Sequence, residues 1–132
     1  MYTLHHHPFC PHSRFIRLVL GEHGLDLRLV EERAWERREA FLALNPAGTT
    51  PILIAEGFPP IPGAGIIAEY LDEAHGLEAG ERRLLPVSMG ERIEVRRLGY
   101  SVFATDAGAC DENASKQTIR ASLLISSGPD RL

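Results

Sequence analysis

A chain of 132 residues with 44% apolar and 24% charged side chains has the composition of an ordinary globular domain, long enough to bury a core without disulfide or metal staples. Fourteen basic against eighteen acidic side chains give a net charge of -4, with no basic stripe to neutralise a phosphate backbone, which argues against a nucleic-acid partner. The longest greasy stretch, residues 15–20 interrupted by Arg17, falls far short of the roughly 20 apolar residues that cross a bilayer.

Residues 2–5 are strand-like, and the His7-Pro8-Phe9-Cys10-Pro11 stretch that follows holds two prolines, which forbid a helix until Cys10 has passed. From Ser13 onward, Phe15, Ile16, Leu18, Val19 and Leu20 supply an apolar face at helical spacing, closed by His23-Gly24 as a C-cap. Leu25, Leu27 and Leu29 then alternate with Asp26, Arg28 and Val30, the period of a half-buried strand. Residues 31–44 read as an amphipathic second helix, with Trp35, Phe41, Leu42 and Leu44 as its apolar edge and the charge run 31–39 as a solvated face, ending before Asn45-Pro46.

Residues 47–50 are turn material and 51–55 a continuous apolar run suited to a buried strand. After Glu56-Gly57 comes a short edge strand at 58–61, the setting in which proline is tolerated. Ile66, Ile67, Tyr70 and Leu71 mark a third helix closed by His75-Gly76, so the order is βαβ and then ββα. A mixed connector follows, and Ser88-Met89-Gly90-Glu91 has the spacing of a capping box before Ile93, Val95 and Leu98, which predicts a fourth helix. Residues 99–132 are dominated by small residues, with one apolar cluster at 123–125 and no clear period.

Met1 to Leu4 offer neither the basic start nor the apolar run of a secretory leader, so the cytoplasm is the expected compartment. Only two cysteines are present, Cys10 and Cys110, and a disulfide between them is disfavoured there. Cys10-Pro11-His12-Ser13 places a thiol just before a helix, where free backbone N–H groups and the positive end of the helix dipole favour a thiolate. Ser13 stands where a second cysteine would close a disulfide, so any covalent cycle needs an outside thiol. Its hydroxyl could instead hydrogen-bond to a bound thiolate. The plainer reading of the same residues is a small semi-buried Cys10 and a capping Ser13, and both readings stand at this level. In a strand only His5 and His7 of the His5-His6-His7 run share a face, with no acidic or sulfur ligand near, so no metal is expected.

Tyr2-Thr3-Leu4, the Phe9-to-Arg14 segment, Asn45-Pro46-Ala47-Gly48-Thr49-Thr50-Pro51 and the Ile66-to-Asp72 helix together resemble the N-terminal domain of the glutathione transferase family, over roughly residues 2–74. The resemblance implies an α/β, thioredoxin-like βαβ-ββα domain at 1–76, a linker at 77–87, and a truncated, partial or divergent helical C-terminal region at 88–132. It implies catalytic roles for Cys10 and Ser13, and substrate-binding roles for His12, Thr49, Thr50, Pro51, Ala64 and Gly65. Pro51 would follow a cis bond, exposing the backbone of Thr50 to the cysteinyl part of glutathione, although the motif is also compatible with a simple rigid turn. Glutathione would be the co-substrate, a small electrophile or mixed disulfide the second substrate, and a homodimer the assembly.

Three departures from the family matter. Where relatives carry a Glu-Ser or Asp-Ser pair for the γ-glutamyl end of glutathione, this chain has Ala64 and Gly65. Losing a charge-assisted contact (about 1.5–3 kcal/mol) and a hydroxyl bond (about 1 kcal/mol) lowers affinity by about two to three orders of magnitude if the two add. Thr49 also replaces a basic or amide residue, and the region after Leu98 is short for the family's helical domain. A glutathione-using thiol transferase or conjugating enzyme, and a non-catalytic binding module on the same fold, are therefore both expectations of this sequence.

Overall fold

The computed structural model describes residues 1–80 and 83–104. In chain order these form β1 (Tyr2–His6), α1 (Pro11–Glu22), β2 (Leu27–Glu31), a 3₁₀ turn (Ala34–Glu36), α2 (Glu39–Leu44), β3 (Ile52–Ile54), β4 (Ile61–Pro62), α3 (Ala64–Ala79) and α4 (Met89–Ala104). One sheet has the order β2-β1-β3-β4. β1 and β2 run parallel with Leu4 opposite Leu29, and β3 pairs antiparallel with both β1 and β4. This is the βαβ-ββα order read from the sequence, in the thioredoxin-like α/β arrangement that the resemblance implies.

The period-2 alternation of the strands separates two cores. Leu4 and Leu53 meet Ile16, Val19 and Leu20 of α1 and Ala64, Ile67 and Leu71 of α3 on one face. Ile52, one residue before Leu53, points the other way and meets Ala34 and Phe41. Burying each such side chain stabilises the fold by about 1.5–3 kcal/mol.

Helix α1 begins where the prolines allow, with Cys10 at the N-cap and Pro11 in the first turn. Its end is a Schellman motif. The Leu25 N–H donates to the Leu20 carbonyl (3.2 Å) and the Gly24 N–H to that of Gly21 (3.0 Å), with Gly24 at φ +64°. The His23-Gly24 stop is thus where the sequence puts it.

The helix expected over 31–44 is not one helix. Glu31 completes β2, one 3₁₀ turn follows, and Arg37 takes a left-handed conformation (φ 46°) that breaks any continuation before the six-residue α2. Nor is the charge run simply a solvated face. Glu32 is buried, and its carboxylate accepts from Arg38 Nη2 at 2.6 and 2.7 Å and pairs with His5 Nδ1 at 3.1 Å. Burying that carboxylate requires these partners, so its neighbours follow them instead of a helical path.

The third helix runs past His75-Gly76 to Ala79, with Gly80 at φ 53° ending it. Gly76 is needed for another reason: a Cβ there would lie 3.0 Å from Arg83 Nε and 3.1 Å from Asp72 Oδ1. The fourth helix is present and starts just after Ser88, whose carbonyl accepts from Arg92 N–H at 2.9 Å. Cys110 and the 123–125 cluster lie outside the described residues. Among the described residues no helix is long and apolar enough to cross a membrane, and no three His, Cys, Asp or Glu side chains are grouped to hold a metal ion.

Candidate functional site

Three loops meet at the ends of β1 and β3. The first is the turn from β1 into α1, held by the Cys10 N–H donating to the His7 carbonyl (3.1 Å). The second is the loop before β3. Asn45, buried at the end of α2, donates from Nδ2 to the Thr49 carbonyl and to Thr49 Oγ1, both at 3.1 Å, and its Oδ1 accepts from the Ala47 N–H at 3.1 Å. Gly48 allows the turn with φ +67°. The loop delivers a cis peptide bond between Thr50 and Pro51. The third element is the start of α3, tied to the second by the Gly63 N–H donating to the Pro51 carbonyl (3.1 Å).

Cys10, Ser13, Thr50, Pro51 and the Ala64-Gly65 corner are therefore brought to one place. The Cys10 Sγ donates to the Thr50 carbonyl at 3.8 Å, and Ser13 Oγ accepts from the backbone N–H of His7 at 3.3 Å. Both side chains are completely buried, at 0% exposure. The thiol at the N-cap thus sits beneath the Thr50 peptide, and the hydroxyl pins β1 to α1. His12 is half-buried in the first turn of α1, and Thr49 is exposed with its side chain engaged by Asn45. Gly65 is exposed with open space around its Cα, whereas Ala64 is buried in the core beside Ile67 and Leu71. An acidic side chain at 64 would carry its charge into that core.

Beside this corner lies a cavity of about 300 Å³ lined by His7, Phe9, Glu31, Arg33 and Trp35. It opens where the parallel strands β1 and β2 end at their carboxyl side, the end at which α/β sheets bind ligands. The Trp35 ring meets the His7 ring edge-on at 4.9 Å, and Phe9 lies 5.8 Å away on the same imidazole. Phe9 and Trp35 are large apolar side chains left exposed here, while His7 is buried with Nδ1 unpartnered.

Sequence reasoning missed this cavity. Trp35 reads as the apolar edge of a helix, and only tertiary folding sets it against His7. The signal that could have found it is the pair of exposed aromatic residues, Phe9 and Trp35, each just beyond the end of a parallel strand.

Behind the site, burial and then the nearby Arg17 guanidinium hold the His6 imidazole below its ordinary value, against weaker opposite pulls from Glu31 and Cys10. At the far end of the sheet the Tyr2 phenol is pushed up to about 12 by burial and by the neighbouring Tyr70 hydroxyl.

Comparison with known proteins agrees with the fold. Residues 4–81 match the family model described as glutathione S-transferase, N-terminal domain. The structure of a glutathione S-transferase from Sinorhizobium meliloti 1021 shares 46% identity with a TM-score of 0.74, over 79% of this chain and 47% of that one. That of FzlA from C. crescentus shares 31% identity with a TM-score of 0.72, over 98% of this chain and 57% of that one. FtsZ-localized protein A of Caulobacter vibrioides is 37% identical over 99 residues, which are 73% of this chain and 42% of the relative. The chain thus spans about half the length of these relatives. By the span of the family match and by its fold, the chain belongs to the glutathione S-transferase N-terminal domain family.

Proposed function

We propose that this chain uses the glutathione transferase fold as a binding module, with its thiol and hydroxyl serving structure instead of catalysis. One observation carries the reading: the two groups available for chemistry, Cys10 and Ser13, are wholly buried, with the Cys10 proton directed at the Thr50 carbonyl and the Ser13 oxygen accepting the His7 N–H. A nucleophile must be ionised and reachable, and a thiol donor must face its ligand. Ala64 and Gly65, where the γ-glutamyl anchor of glutathione would sit, weaken glutathione capture further. The binding face is the cavity walled by the exposed Phe9 and Trp35. Because one relative is named for localisation with FtsZ, purified FtsZ is the first partner to test, and the cytoplasm is the compartment this role needs.

A second reading is a glutathione-dependent enzyme, conjugating glutathione to a small electrophile or resolving a mixed disulfide through Cys10, as a homodimer. The cis Thr50–Pro51 peptide and the 46% identity to a glutathione S-transferase support it. In that reading the His7–Phe9–Trp35 cavity receives the electrophile.

Titration calorimetry with glutathione separates the two. The module reading expects no heat of binding at millimolar glutathione and weak binding at most in Gly65→Ser, which adds the missing hydroxyl where there is room. Ala64→Glu is the poorer test because it buries a charge. Binding by the unaltered chain below 0.1 mM overturns the module reading.

A further inference from the structure

We infer that α4 is a latched strap, held against the transferase domain by an ion-pair lock centred on the buried carboxylate of Asp72 and not by apolar packing. Asp72 sits on α3 with its side chain 1% exposed. Its two oxygens accept from Arg83 Nε at 3.0 and 3.3 Å, from Arg83 Nη2 at 2.7 Å and from Arg92 Nη1 at 3.0 Å. Arg83 belongs to the connector and Arg92 to α4, so one carboxylate clamps both segments to α3. Arg92 Nη1 also donates to the Pro86 carbonyl at 3.2 Å, fixing the turn into α4. One turn earlier on α3, Glu69 accepts from Arg96 Nε and Nη2 at 2.5 and 2.6 Å and lies 3.6 Å from Arg92. The absence of a side chain at Gly76 leaves the space in which Arg83 lies down on the helix.

Ordinary helix packing plays little part. Between residues 89 and 101, only Arg92 and Gly99 are even half-buried, while Met89, Ile93, Leu98 and Tyr100 face outward. Among residues 89–101 the most deeply placed long side chain is that of Arg92. A helix of this length is marginal once detached, because tertiary packing of an apolar face is what usually sustains it. Removing the shared carboxylate takes the common partner from both guanidinium groups at once, leaving Arg92 with Glu69 at 3.6 Å and the Pro86 carbonyl, whereas removing one arginine leaves the other pair whole.

The two ion-pair layers differ in their response to salt. Arg96–Glu69 is exposed and is screened, and the Asp72 layer is screened much less. The burial of Asp72 raises its carboxyl, yet the hydrogen bonds from Arg83 and Arg92 outweigh this and hold it below its ordinary value. It therefore stays charged under ordinary conditions. The strap can leave without disturbing the cores around Leu4 and Phe41, since none of its latch residues belongs to them.

Hydrogen–deuterium exchange of the full chain, read by mass spectrometry, tests this. Asp72→Asn is expected to speed exchange across residues 93–101 tenfold or more, with residues 2–6 and 52–54 unchanged, and Glu69→Gln to give a smaller effect. Arg92→Gln, which leaves the Arg83–Asp72 pair intact, is expected to reproduce the α4 effect and decides the matter if Asp72→Asn fails to fold. Unchanged α4 exchange in Arg92→Gln, or an equal acceleration in β1 and β3, overturns the latch.

Discussion

The sheet and its flanking helices bury Leu4, Ile16, Leu20, Phe41, Ile67 and Leu71 almost completely, whereas between residues 89 and 101 of α4 the best-buried long side chain is Arg92. The first region is held by apolar area removed from water, the second by guanidinium–carboxylate pairs. Non-directional burial tolerates exchange of one apolar side chain for another of similar size, while the ionic docking depends on particular atoms at particular distances. The two regions should therefore fail under different substitutions.

The largest effect is expected in the core. Phe41→Ala empties the pocket under Ile52 and should cost about 3–5 kcal/mol in a urea unfolding curve. A cost of under 1 kcal/mol would mean that the α2 side of the sheet is not a core at all. Next comes Asn45→Ala, which removes the amide that organises the loop before Pro51. A loss of about 1–3 kcal/mol is expected, from the carbonyl and N–H partners it leaves unmatched.

His6 supplies a pH handle on the same region. Its imidazole in the fold titrates below the unfolded value of 6.5, so the fold favours the neutral ring. That stability is fully present above 6.5 and is lost as the pH falls from there toward the folded value, because the unfolded chain takes up the proton first. Thermal melts of the native chain and His6→Leu should converge in slope between pH 7 and 5 only if this account is wrong. The native Tm is expected to fall more steeply. The smallest effect belongs to α4: Met89→Ala, at an exposed position, should shift stability by less than about 0.5 kcal/mol. A larger change would put apolar packing back into the account of that helix.

Much of the scaffold is legible in the sequence because local rules and tertiary structure agree there. The Pro11 start of α1, its His23-Gly24 stop and the Asn45-to-Pro51 loop each follow from neighbours within a few residues, whereas the alternation read over 25–30 holds for Leu25 and Leu27 and fails at Leu29, which is exposed, and Val30, which is half-buried. The failures have a common cause, which is a partner far away in sequence. Glu32 looks solvated until Arg38 and His5 close on it. Gly76 looks like a helix stop until Arg83 occupies the space above it. The same holds for the site. The motif locates Cys10 and Ser13 at the head of α1, but their complete burial and their pairing with Thr50 and His7 are set by the tertiary fold, and no periodicity reveals them. Trp35 and Phe9 likewise form a wall only after β1 and β2 pair.

The contrast between a sealed thiol and an open aromatic cavity beside it carries the functional account. Alkylation by iodoacetamide under native conditions, followed peptide by peptide so that Cys10 and Cys110 are read separately, tests it most directly. Cys10 is expected to react at least a hundredfold more slowly in the folded chain than in the urea-unfolded one. Native alkylation of Cys10 as fast as that of the unfolded chain, or faster, would contradict the sealed site and return the chain to the glutathione-dependent enzymes.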